Sequence, residues 1–146
     1  MDGSQFSEMA EISLSSNQNV GLNPKFNAPA GQSAGFINGQ ASIGHVDGVV
    51  SIWNLKMRQL VAHDKLHEGD VRGISYSADG RYVASAGFDK NIVITDTMNL
   101  EKMHVVKMLQ HDDKALSVKW HPYLPLLLST SADKSARVWA PAYAGN

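Results

Sequence analysis

From about Phe36 onward the chain runs in short stretches in which apolar and polar residues alternate, broken by Gly, Asp, Asn and Pro. Alternation of period two puts every second side chain on one face of an extended strand, and the breaks carry the residues that tight turns need. Val71 to Tyr76 and Tyr82 to Ala86 flank Ser77-Ala78-Asp79-Gly80, where Asp-Gly is a strong hairpin signal. Ile92, Val93 and Ile94 follow the next turn. A second set repeats the plan: Ala115 to Trp120, a turn through His121-Pro122-Tyr123, Leu126 to Ser129, then Ala136 to Trp139. The pattern predicts an all-β fold.

Residues 1–35 differ in kind. They are rich in Ser, Asn, Gln, Gly and Ala, contain Asn23-Pro24 and Ala28-Pro29, and keep no sustained period. They read as a polar, largely disordered tail, in which Phe6 to Ile12 has at most one marginal helical turn. The expected division is a tail at 1–35, a folded region at 36–142 and a short tail at 143–146.

Self-similarity decides the fold expectation. Val46-Asp47-Gly48-Val49-Val50-Ser51-Ile52-Trp53, Phe88-Asp89-Lys90-Asn91-Ile92-Val93-Ile94-Thr95 and Ala132-Asp133-Lys134-Ser135-Ala136-Arg137-Val138-Trp139 align without gaps. Their aspartates lie 42 and 44 residues apart (47 to 89, 89 to 133). A second layer keeps the register: His67 and His111 each precede their aspartate by 22 residues, Ser85 and Ser129 by four, and Trp53 and Trp139 follow theirs by six. This set resembles the WD-repeat family, in which each unit forms one four-stranded blade of a β-propeller. The resemblance implies that His67, Ser85 and Asp89, and His111, Ser129, Asp133 and Trp139, form structural hydrogen-bonded tetrads, with Asp47 and Trp53 the remnant of another. Within the family, Ile92 to Asp96 and Ser131 to Trp139 are similar to the C-terminal repeats of nemitin-type, microtubule-associated WD-repeat proteins.

The pattern is broken in places. Thr95 stands where the middle unit would have Trp, and Trp139-Ala140 replaces Trp-Asp. In the first unit Ile43 occupies the Ser position and Lys25 the His position, so only its last one or two strands are expected. The total is a partial propeller of about two and a half blades, whereas a closed ring needs at least roughly four. An open arc leaves apolar faces and strand edges uncovered. Either the chain is a piece of a longer propeller, or it completes one supplied by another chain, or several copies form a ring.

Composition narrows the function classes. With 13 basic and 14 acidic residues, a formal charge of -1 and no long like-charged block, nothing favours nucleic acid or an anionic membrane. Absence of cysteine removes thiol chemistry, and no apolar run is long enough to span a bilayer. A cytoplasmic setting is the default expectation, with a cytoskeletal or ciliary one added by the nemitin likeness. Gly31-Gln32-Ser33-Ala34-Gly35 matches the Gly-x-Ser-x-Gly nucleophile elbow but follows a polar tail, which makes it a small-residue linker. His63 and His67 have metal-ligand spacing, yet they fall in an inter-strand loop and His67 belongs to the tetrad. His45 and His104 read as solvated or packing histidines. No catalytic residue, metal or cofactor is expected.

Propeller proteins bind partners on the face formed by their inter-strand loops. The resemblance places Phe88, Arg72, Asp70, Asp112 and Asp113 there. Phe88 in a tight turn is either an aromatic anchor for a partner or a packing residue against the next blade. The expected function is a non-enzymatic protein-protein interaction scaffold, cytoskeleton- or cilium-associated. The alternative is a structural module that completes a propeller with another chain.

Overall fold

The computed structural model describes residues 31–37, 39–98 and 103–141. Of the expected tails, 1–30 with the Phe6 turn, and 143–146, lie outside the described residues, as does Lys25. All eleven elements among the described residues are strands. They form three antiparallel sheets. Blade I contains β1 (Gly31–Ile37), β2 (Gln40–His45), β3 (Val49–Asn54) and β4 (Gln59–Lys65). Blade II contains β5 (Val71–Tyr76), β6 (Tyr82–Gly87), β7 (Asn91–Asp96) and β8 (His104–Gln110). Blade III contains, among the described residues, β9 (Ala115–Trp120), β10 (Leu127–Ser131) and β11 (Ala136–Trp139).

The turns follow from short-range chemistry. At the β5–β6 hairpin, Asp79 accepts from Ser77 Oγ at 2.7 Å and from the Arg81 amide at 3.0 Å, while Gly80 takes φ +75°. The three repeat aspartates build one turn three times. Asp47, Asp89 and Asp133 each accept from the amide two residues on, at 3.2, 3.1 and 2.9 Å, and the residue between is left-handed: Gly48, Lys90 and Lys134. A side chain at Gly48 would also run into the His67 carbonyl.

Alternation then sorts the side chains between the sheets. Val50, Ile52 and Ala62 of blade I pack with Val71, Ile74 and Val83 of blade II, and Ala84, Ala86 and Ile92 of blade II pack with Ala115, Val118 and Leu127 of blade III. The inner strands meet so closely that a Cβ on Gly73 would come within 2.9 Å of the Val118 amide. Blade III ends the arc. Its cross-strand pair Leu128–Val138 is 45% and 64% exposed, whereas the matching pair in blade II, Ala84–Ile94, packs toward blade III.

Two expectations need correction. The first unit is a complete four-stranded blade, and among the described residues it is the last one that has three strands. The cause is β1, which starts at Gly31, ahead of the expected boundary at 36, and pairs with β2 through backbone groups that small residues offer as well as large ones. Gly31 to Gly35 is therefore neither linker nor elbow. It is an inner strand, tied to blade II where Ser33 donates to the Val71 carbonyl at 3.3 Å.

Candidate functional site

The loop from β4 to β5 carries His67 into the interior, where its ring is 1% exposed. Nδ1 lies 2.9 Å from Asp89 Oδ1 and Nε2 lies 2.8 Å from Ser85 Oγ. A carboxylate only accepts, so Nδ1–H donates to Asp89; in the neutral imidazole Nε2 then accepts from the Ser85 hydroxyl, whose other acceptor within reach is the Val93 carbonyl at 3.4 Å. Asp89 also accepts from the amides of Glu68 at 3.0 Å and Asn91 at 3.1 Å. Burial pushes its carboxyl upward, but the bonds from His67 and the two amides outweigh that and hold it below the usual range. One residue thus ties the loop between blades to the tight turn between β6 and β7.

Blade III repeats the arrangement and extends it. His111 bridges Asp133 Oδ2 at 2.9 Å and Ser129 Oγ at 2.7 Å, and the Trp139 indole donates to Ser129 at 2.8 Å. The Ser135 hydroxyl and amide donate to Asp133, and Arg137 stands 3.4 Å from it. The Ser135 hydroxyl bond, ahead of the bond from His111, holds the Asp133 carboxyl well below the usual carboxylate range despite burial. In blade II, Thr95 occupies the tryptophan position, and its buried hydroxyl has no hydrogen-bond partner.

Blade I is wired differently. His45 from β2 is fully buried, with Nε2 2.9 Å from Ser51 Oγ, to which the Trp53 indole donates at 3.0 Å. His45 is neither solvated nor a mere packing residue. The signal was strand alternation: Ala41, Ile43 and His45 share the face that Ser51 and Trp53 occupy on β3. Asp47 accepts from the Val49 amide, away from this chain.

These Asp–His–Ser chains have the connectivity of a hydrolase triad. Ser85 and Ser129 are 1% and 0% exposed, however, and Ser129 already accepts an indole proton. No reacting carbonyl can reach either oxygen, so the arrangement supports the fold. His63 lies in β4, not in a loop, and points outward while His67 is buried. Among the described residues no three His, Asp or Glu side chains gather to hold a metal. His104 is exposed in β8.

Above the buried chains lies the loop face. Phe88 is half-buried in the β6–β7 turn, with the Arg72 guanidinium 4.6 Å from its ring centre and the Lys114 ammonium at 5.1 Å. Both are cation–π distances. Asp70 lies 3.5 Å from Arg72 and its carbonyl accepts the Phe88 amide at 2.9 Å. Asp112 and Asp113 are exposed beside Lys114; Asp112 faces Arg137 at 3.5 Å. Phe88, Arg72 and Asp70 are thus one cluster, with Asp112 and Asp113 on the adjoining loop. Lys114 and Arg137 were not legible as members, although Lys114 stands three residues after His111 as Asp70 does after His67.

The model of the WD domain, G-beta repeat, matches residues 57–96 and 103–140. Each match starts on the outer strand of one blade, β4 or β8, and continues through the three strands of the next, so consecutive blades are stitched together. The chain is 33% identical over 73 residues to actin-interacting protein 1 of Drosophila melanogaster, covering 50% of this chain and 12% of that protein. It is 31% identical over 111 residues to the APC/C activator protein CDC20 of Saccharomyces cerevisiae, covering 73% and 18%. The chain thus spans less than a fifth of these relatives. The crystal structure of RRP9 WD40 repeats superposes with a TM-score of 0.71 at 19% identity, over 76% of this chain and 35% of that one, which speaks to the fold alone. With both repeats matched over more than half its length, the chain belongs to the WD-repeat family.

Proposed function

We propose that the chain is a non-enzymatic protein-interaction scaffold that docks partners on the loop face centred on Phe88. The observation that carries this is that Arg72 of blade II and Lys114 at the start of blade III both lie within cation–π distance of the Phe88 ring. With two cations already against it, the ring loses little freedom on binding, which favours an anchor role. Asp70, Asp112 and Asp113 add charge of the opposite sign around it and set the orientation of an incoming partner. The test is partner capture by the Phe88→Ala/Arg72→Ala variant against the unaltered chain, after thermal unfolding has shown both folded. Loss of specific partners supports the face; an unchanged set overturns it.

A cytoplasmic, cytoskeletal or ciliary setting is the finer part of the reading. The nemitin-type likeness of Ile92 to Asp96 and Ser131 to Trp139 supports it, as does the name of the actin-interacting relative. Co-sedimentation with microtubules and with actin filaments tests it, and a chain that stays in the supernatant with both removes it.

A second reading, completion of a propeller with another polypeptide, is favoured by the exposed Leu128 and Val138 and by the three-stranded last blade. Light scattering on the full chain separates its forms: a stable mass of two or three copies means a ring of copies, whereas aggregation or an apolar-surfaced monomer means a foreign partner.

A further inference from the structure

β4 and β8 hold the same place in consecutive blades, each hydrogen-bonded to the third strand and without a described neighbour on its other side. Their ladders match position by position. Ser51 faces His63, Val50 faces Asp64 and Val49 faces Lys65, where Val93 faces Met108, Ile92 faces Leu109 and Asn91 faces Gln110. Both ladders slip at the same step, after Ile52 in one and after Ile94 in the other. The two outer edges are therefore comparable residue by residue.

An open edge offers a row of backbone donors and acceptors, and charged side chains along it keep foreign strands away. β4 has them: His63, Asp64 and Lys65 stand exposed in a row. β8 has Met108, Leu109 and Gln110 in those three positions. Along β8, Val105, Val106 and Met108 are 41%, 48% and 53% exposed, and Lys107 is its one cation besides the titratable His104. Blade II has a blade packed on each face, blade I against Val71, Ile74 and Val83 and blade III against Ala84, Ala86 and Ile92, so this edge owes nothing to either end of the arc. Charge then selects the visitor. Lys107 is exposed, and among the described residues no carboxylate lies within ion-pair distance of it. β8 contains no acidic residue, so a second copy pairing β8 to β8 would add another lysine and answer neither.

We propose that the outer edge of β8 accepts an extended segment of another protein as a fifth strand of blade II. The segment carries aliphatic residues against Val105 and Met108 and an acidic residue across from Lys107. Backbone pairing supplies affinity, and these side chains supply selectivity. The site does not involve the Phe88 face, and it stands whether or not further blades complete the arc.

The probe is a short synthetic peptide of alternating valine and threonine with a central glutamate, compared with the same peptide carrying a central lysine. Each is added to the full chain, and amide hydrogen exchange is followed residue by residue. The glutamate peptide should slow exchange of the outward-facing amides of His104–Gln110 by about tenfold at saturation and leave Gln59–Lys65, the guarded edge, unchanged. It should bind about tenfold more tightly than the lysine peptide, and Lys107→Glu in the chain should reverse that order. Met108→Lys, which gives β8 a guard where β4 has His63, should weaken both peptides by about tenfold, with thermal unfolding reporting that each variant stays folded. No protection of β8, equal protection of β4 and β8, or a peptide preference that Lys107→Glu leaves in place overturns the inference. Outward-facing β8 amides as protected as those of β7 before any peptide is added would mean that this chain or a second copy already covers the edge, and would overturn it too.

Discussion

The indole nitrogen of Trp139 lies 2.8 Å from Ser129 Oγ, so blade III ends its buried chain on a donor that blade II, with Thr95 in that place, does not have. The Thr95 hydroxyl is desolvated without a bond, the arrangement that costs most for a neutral polar group. Thr95→Val keeps the shape and removes the hydroxyl. It should stabilise the chain by about 1 kcal/mol, read as a raised urea midpoint at constant m-value.

Trp139→Phe makes the opposite change in blade III, keeping an aromatic ring and deleting the donor. A loss of about 1 kcal/mol is expected, and Ser129→Ala should cost more because it strands His111 Nε2 as well. Ranking the two by chemical unfolding checks that the serine, with two partners, is the centre of the chain.

Acid should weaken the fold through the same residues. Asp89 and Asp133 are held below the unfolded carboxyl value of about 4, so their stabilisation is complete above that pH and is lost as pH falls below it, through their folded values. Asp133 is the more strongly lowered, so blade III should retain its share to lower pH. Urea midpoints between about pH 6 and pH 2 should fall steeply, and Asp133→Asn should start lower and flatten the slope.

Lys90 and Lys134 take φ 77° and 69° at positions where blade I has Gly48. Either lysine bears a cost of about 1 kcal/mol for the left-handed conformation, which glycine escapes. Lys90→Gly should therefore raise the thermal midpoint slightly, in contrast to the usual effect of glycine; a fall would show that the Lys90 side chain stabilises the turn.

Much of this was legible in the chain because strand lengths fix spacing. A histidine 22 residues before an aspartate must cross one hairpin to reach it, and His67 and His111 both do. The inner strand β1 was not legible for a physical reason. Its pairing with β2 runs through backbone groups, which Gly31, Ser33, Ala34 and Gly35 supply without any apolar rhythm. His45 was obscured because it stands in a strand, two residues from Asp47, where the repeat has no histidine. Lys114 reaches Phe88 from the next blade, a contact that no local pattern encodes.

Hydrogen exchange on the full chain, residue by residue, tests most directly whether this is an arc of three blades with an open last one. Among the described strands, β3 and β7 each lie between two hydrogen-bonded neighbours, and β11 has one. The outward-facing amides of Ala136–Trp139 should exchange orders of magnitude faster than those of Val49–Asn54 and Asn91–Asp96. Protection of β11 equal to that of β7 would mean that the last blade is already complete in the isolated chain, and would contradict the account.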